Sequence, residues 1–88
     1  MKKVKLKSGY EVEVRDTISN DMELIDAIVD ADNGVLTGIP MVCKRLMTPE
    51  AKKGLYDHLR GEDGCVKSTD VAEALKEIFN GLGEDGKN

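Results

Sequence analysis

The chain has 88 residues, a formal net charge of −4 and only 3% aromatic residues. That length fits one domain with a modest core, too small to enclose a deep active-site cleft. The acidic balance disfavours binding to nucleic-acid phosphates, and no basic patch with interleaved aromatic residues offsets it. No apolar run approaches the roughly 20 residues of a membrane span, and the basic N-terminus lacks the apolar segment of a signal peptide.

The first element is predicted to be a β-hairpin over residues 3–14, because apolar and charged residues alternate strictly there. A three-residue loop, Lys7-Ser8-Gly9, keeps the alternation in phase across the turn and places Gly9 in the left-handed conformation. In that register Val4 pairs with Val12, Leu6 with Tyr10, Lys5 with Glu11 and Lys3 with Glu13. A lone hairpin is marginal in water, so its apolar face should rest on helices.

Apolar residues at helical spacing predict four short helices, at about residues 20–31, 38–47, 49–60 and 69–81. We expect Ser19 or Asn20 to cap the first helix and Asn33-Gly34 to end it. Thr37 is the expected cap of the second helix. Thr48 precedes Pro49 at the start of the third helix, a position that proline favours.

The fourth helix has the clearest apolar face, with Ser68 or Thr69 as its expected cap and Gly81 and Gly83 as its expected end. The fold class is therefore α+β, mostly α, with an N-terminal hairpin packed on a bundle of about four short helices. Residues 1–83 should form a single globular domain, and residues 84–88 a flexible polar tail. We expect Ile25, Ile28, Val42 and Leu46 in the core.

Reactive side chains do not converge in any recognisable motif. His58 and Cys65 could form a nucleophile pair, and Cys43 could join them at a metal, but no two of these residues have the close spacing of zinc ligands. Two segments imitate calcium loops, at 30–34 and 62–66, and each lacks essential ligand positions. We therefore expect no catalytic residues, no cofactor and no metal. Two isolated cysteines also favour a reducing compartment.

A partner-binding role fits the amphipathic helices better than catalysis does. The fourth helix could receive a partner's helix in a groove, although a buried core helix is the ordinary interpretation of such a face. The residues expected to contact a partner lie on the third and fourth helices: Leu55, Leu59, Val71, Leu75, Ile78, Phe79 and Leu82.

Several stretches in order resemble small tail assembly chaperones of long-tailed phages and prophages of Gram-positive bacteria. They are Leu6–Val14, Asp21–Ala27, Tyr56–Val66, Glu77–Phe79 and Leu82–Asn88. The resemblance covers most of the chain, and the ordered set carries it rather than any single motif.

The resemblance implies a non-catalytic protein that binds the tape-measure protein and keeps it soluble during tail assembly, with the tail tube protein as a further candidate partner. It implies a place in the cytoplasm of the bacterial host and absence from the mature virion. No nucleic-acid or membrane partner is expected, and the oligomeric state stays open, a homo-oligomer included. The alternative is an acidic phage-encoded regulatory protein that binds and inhibits a host or phage protein. Such a protein should concentrate its carboxylates on one face, whereas most segments of the sequence mix acids with lysines.

Overall fold

The computed structural model describes residues 1–15 and 20–86, the last four of them as backbone only. Within these residues a two-stranded antiparallel hairpin packs on four helices, which confirms the predicted α+β, mostly α class. The elements are β1 (Lys2–Lys5), β2 (Glu11–Val14), α1 (Met22–Asp32), α2 (Gly38–Leu46), α3 (Pro49–Leu59) and α4 (Ser68–Gly86).

The hairpin has the predicted register. Val4 lies opposite Val12 and Lys5 opposite Glu11, and the Leu6 N–H donates to the Tyr10 carbonyl at 2.9 Å. Gly9 adopts a φ of 95°, so the expected three-residue turn with a left-handed glycine is confirmed. The alternation places one side of each strand in the core and leaves the lysines and glutamates exposed.

The core draws on the inner face of the hairpin and on all four helices. α4 packs against β1 and α3 against β2, while α1 packs chiefly against α2. The buried apolar residues are Val4, Leu6, Val12, Val14, Leu24, Ala27, Val42, Cys43, Leu46, Met47, Leu55, Val71, Ala74, Leu75 and Ile78. This core is aliphatic, as the scarcity of aromatic residues requires.

The start of α1 differs from its prediction. Asp21, rather than Asn20, is the N-cap, and its carboxylate accepts the Leu24 N–H at 3.1 Å. Ser19, the other expected cap, lies outside the described residues. The same carboxylate also accepts three hydrogen bonds from the Arg45 guanidinium on α2, at 2.9, 3.0 and 3.2 Å. Asp21 therefore caps one helix while it ties that helix to the next.

α1 ends at Asn33-Gly34, as predicted. Gly34 has a φ of 79°, its N–H donates to the Ala31 carbonyl, and the Val35 N–H donates to the Asp30 carbonyl. This pair of bonds is a Schellman motif, which satisfies carbonyl groups at the helix end and turns the chain toward α2.

Gly38 allows α1 and α2 to approach closely after that turn. A Cβ at this position would lie 2.4 Å from the Ala31 backbone nitrogen and 2.7 Å from its Cα. Backbone atoms on both sides leave no flexible group to move away. The glycine is therefore needed for the spacing of the two helices.

The remaining helix boundaries agree with the predictions within one or two residues except at the C-terminus. Thr48 caps α3 by accepting the Ala51 N–H, with Pro49 at the first position, as expected. Thr37 occupies the N-cap position of α2 but makes no side-chain capping bond.

The expected end of α4 at residue 81 is wrong, because the helix continues to Gly86 and includes residues 84–86 of the expected tail. A Cβ at Gly81 would lie 2.9 Å from Val4 Cγ1, so this glycine marks a close helix–strand contact rather than a helix stop. Residues 87–88 lie outside the described residues. None of the helices in the described ranges is long and apolar enough to cross a membrane.

Replacing Gly38 with alanine should destabilise the fold by about 1–3 kcal/mol, because the added methyl group overlaps the α1 backbone. The free energy of unfolding measured by urea denaturation tests this. Lys44→Ala, on the exposed face of the same helix, is the control and should change that free energy by less than about 0.5 kcal/mol. An unchanged stability of Gly38→Ala would contradict the close helix contact.

Asp21 should make stability depend on pH in the acid range. Desolvation alone would raise the pKa of Asp21, but the Leu24 N–H and the Arg45 guanidinium outweigh it and lower the pKa. The folded state therefore holds the proton less readily than the unfolded state. The resulting stabilisation is complete above the ordinary aspartate pKa and is lost as the pH falls through the folded-state value.

Thermal melts of wild type and Asp21→Asn across the acid range measure this effect. Asparagine keeps the cap but cannot pair with Arg45, so the variant should melt lower at neutral pH and converge with wild type in strong acid. Asp26→Asn is the control and should not melt below wild type at neutral pH, because Asp26 has no ion pair with any described residue. A difference between wild type and Asp21→Asn that is constant with pH would refute the assignment.

Candidate protein-binding surface

The residues predicted to contact a partner fall into two groups. Leu55 and Ile78 are fully enclosed, so they cannot touch a partner while the fold is intact, which corrects the prediction for both. The reason is that α4 uses its apolar face to cover β1, α2 and α3. Val71 and Leu75 are buried but border surface hollows, and Leu59, Phe79 and Leu82 are half-buried.

An apolar groove runs between α4 on one side and α1 with its following turn on the other. It consists of two adjoining hollows of about 260 and 270 Å³, which share Ala31 and Ile39. Its α4 wall extends from Ser68 to Phe79, roughly 16 Å at the rise of an α-helix. The lining is mostly apolar and includes Ile28, Ala31, Val35, Leu36, Ile39, Pro40, Val42, Tyr56, Val66, Val71, Ala72, Leu75 and Phe79.

A ridge of exposed apolar side chains lies beside this groove on α1. We define the α1 ridge as Met22, Ile25 and Val29, which are 66%, 42% and 51% exposed. Successive residues turn by about 100° around a helix, so Ile25 lies between Ile28, which borders the groove, and the other two ridge residues. Leu36, at 91% exposed, stands at the far end of the groove in the α1–α2 turn.

The expectation that Ile25 belongs to the core is wrong, whereas Val42 and Leu46 are buried as predicted and Ile28 is half-buried. α1 has apolar residues over more than one face, and its contact with α2 buries Leu24 and Ala27 instead. Because α1 lies at the margin of the bundle, its other apolar side faces solvent. Contiguous apolar surface of this kind marks interaction sites on small soluble domains.

Acidic residues surround the α1 ridge. α1 carries no basic residue and four acidic ones, Glu23, Asp26, Asp30 and Asp32. Its formal charge of −4 equals the net charge of the whole chain, so the acidic and basic residues outside α1 are equal in number. Arg45 lies 3.6 Å from Glu23 and closer to Asp21. Among the described residues, no cation lies within ion-pair distance of the three aspartates of α1. The apolar ridge and the excess negative charge therefore coincide on one helix.

His58 joins the hairpin turn to α3. Its ring stacks on Tyr10 with centroids 4.4 Å apart, and its Nε2 lies 2.9 Å from the Ser8 hydroxyl. The adjacent Lys7 N–H donates to the Glu77 carboxylate of α4 at 2.7 Å. No described carboxylate hydrogen-bonds to the other ring nitrogen, so the serine–histidine pair lacks an orienting acid in this part of the chain. The arrangement anchors the turn to two helices.

The two cysteines lie in different environments. Cys43 is fully buried on α2, and this burial raises the pKa of its thiol even though the Tyr56 hydroxyl acts in the opposite direction. Cys65 is exposed in the loop between α3 and α4. No group of three or more His, Cys, Asp or Glu residues within the described ranges is arranged to hold a metal ion.

The loop that imitates a calcium site is closed by its own hydrogen bonds. The Gly61 N–H donates to the Cys65 carbonyl, the Cys65 N–H donates to the Asp63 carboxylate, and Arg60 donates to the Gly64 carbonyl. Gly64 provides the positive φ of 82° that the turn requires. These hydrogen bonds account for the glycine and aspartate residues of the loop with no need of a bound calcium ion.

Comparison with known proteins adds no assignment: no protein-family model, curated protein or solved structure matches this chain.

The α1 ridge and Leu36 were not predicted from the sequence, although the sequence contains two signals for them. α1 contains more apolar residues than one buried face accommodates, and Val35-Leu36 places an apolar pair directly after a glycine turn. Turns favour polar residues, so an apolar pair there indicates a contact surface.

Polar substitution of the α1 ridge should leave the fold intact. Ile25→Gln combined with Val29→Gln should change the free energy of unfolding by no more than about 0.5 kcal/mol per site, since both residues are substantially exposed and glutamine suits a helix. Leu55→Ala, in the core, should cost about 2–5 kcal/mol. Urea denaturation measures the free energy of unfolding of each variant. If the ridge variant lost as much of it as Leu55→Ala, the ridge would be covered in solution.

Proposed function

We propose that this chain is a tail assembly chaperone of a phage or prophage, which binds the tape-measure protein and keeps it soluble while the tail assembles. The protein acts in the host cytoplasm, performs no catalysis and leaves before the virion is complete. The observation that supports this proposal is the apolar groove with the adjacent α1 ridge on a domain that is otherwise charged.

The size and shape of the groove suit a helical client. Its α4 wall covers about three helical turns, and an amphipathic helix recognises such a groove through residues spaced at i, i+3, i+4 and i+7. A tape-measure protein is a very long and largely helical chain. While no tail surrounds it, its apolar helix faces are exposed and prone to aggregation.

The size of the chaperone also suits this role. One groove can cover only a short stretch of a long chain, so many copies must bind along one client. Weak individual contacts then suffice, and they release easily when tail subunits compete for the same faces. A small, acidic, well-packed domain keeps such a complex in solution.

An acidic regulator of another protein is the second candidate, and the concentration of four carboxylates on α1 favours it. Such a protein would use charge to imitate a polyanion. It would have no need for an exposed ridge of Met22, Ile25 and Val29 beside that charge. The ridge therefore makes the chaperone the better candidate.

Co-expression with the tape-measure protein from the neighbouring gene tests the proposal. Wild type should move the client into the soluble fraction and co-purify with it. The triple variant Ile25→Gln, Val29→Gln and Leu36→Gln should fold normally and fail to do so, because it removes apolar contact surface without opening the core. Solubility on gels and pull-down of the tagged chain provide the measurement.

The matched control is Glu11→Gln with Glu13→Gln, on the outer face of the hairpin and away from the groove. This double variant should behave as wild type. If the client is equally insoluble with and without the wild-type chain, the chaperone proposal fails. A soluble client with the triple variant would instead place the binding surface elsewhere.

A further inference from the structure

We infer that the client segment bound by this chain is an amphipathic helix whose apolar stripe is flanked by lysine or arginine residues. This inference rests on the proposed function and specifies the chemistry of the partner. It follows from the coincidence of the α1 ridge with three aspartates that have no ion pair among the described residues, and from the energetic cost that these aspartates impose on the free chain.

The carboxylates of α1 are placed where they destabilise the helix that carries them. Asp26 and Asp30 stand four residues apart on the exposed side, where like charges repel. Asp30 and Asp32 lie in the last turn, at the negative end of the helix dipole, and no basic residue is present there. Local choices that oppose stability without a structural gain are expected at functional sites.

A cationic partner would relieve both penalties. By helical geometry, Asp26 and Asp30 border the α1 ridge on the side away from the groove, and Asp32 borders it on the groove side. A helix seated over the ridge and groove would therefore have Asp26 and Asp30 along one edge of its α1 contact and Asp32 at the C-terminal end of that contact, beside the groove. On the α4 wall the nearest cation, Lys76, lies 3.9 Å from Glu73 and does not reverse this balance.

The same charges argue against other occupants of the surface. A second copy of the chain related by twofold symmetry would bring one acidic α1 against another. Anionic lipid headgroups and nucleic-acid phosphates would be repelled for the same reason. A helix with acidic flanks would share the apolar contacts and lose the electrostatic attraction.

The test uses two labelled peptides of about 14 residues, which span the groove as a helix. They have the same leucine stripe and differ only in flanking lysines or flanking glutamates. Wild type should bind the lysine peptide about tenfold more tightly by fluorescence anisotropy, and added salt should reduce that advantage. Asp26→Asn with Asp30→Asn should weaken lysine-peptide binding about fivefold.

Two controls separate this result from misfolding and from net charge. The double aspartate variant should melt at a temperature equal to or above that of wild type, because it removes unfavourable charges from α1. Glu11→Gln with Glu13→Gln changes the net charge equally on the hairpin and should leave lysine-peptide affinity within about twofold of wild type.

The outcomes distinguish this inference from the proposed function. Equal affinity for both peptides would overturn the inference, while solubilisation of the client in co-expression would still support the chaperone. Preference for the lysine peptide without any effect on the tape-measure protein would support the inference and reject that client. Concentration-dependent self-association that is abolished by the ridge variants would show that a second copy covers the surface, and would overturn the inference.

Discussion

The contact between α1 and α2 determines where the candidate surface lies. α1 is held to the rest of the molecule chiefly through this contact, by the close approach at Gly38 and by the ion pair of Asp21 with Arg45. Because one neighbouring helix can cover only part of α1, the remaining apolar residues stay in solvent. Without the short α1–α2 distance that Gly38 permits, α1 would lie farther from α2, and the shape of the groove would change.

A small core explains why polar contacts hold the margins of this fold. With 88 residues there is little interior surface to bury, and no disulfide supplements it. The hairpin turn is accordingly fixed to α3 and α4 through Ser8, Tyr10 and Lys7, and β2 is fixed to the end of α2 by the Arg15 N–H, which donates to the Leu46 carbonyl. Each contact joins elements that are distant in sequence. Together they provide a stable base from which α1 can present its apolar side.

Sequence patterns predicted those parts of the fold that depend on nearby residues. The register of the hairpin follows from its alternation and its glycine turn, and the Thr48-Pro49 start of α3 follows from local capping chemistry. Patterns failed where a distant partner decides the outcome. Asp21 is the cap of α1 partly because Arg45 reaches it from another helix, and Gly81 is a contact with Val4 rather than a helix end. Likewise, periodicity identified apolar residues on α1 but could not tell which of them would find a neighbour, so Ile25 was misplaced.

The unequal burial of the two cysteines has a practical consequence. Cys43 is sealed inside the molecule, whereas Cys65 is exposed and immediately precedes Val66, a residue of the groove wall. A thiol-reactive fluorophore added to the native chain should therefore attach at a single position, a few ångströms from the mouth of the groove. Occupancy of the groove could then be followed as a change in emission, in a protein with no engineered residue.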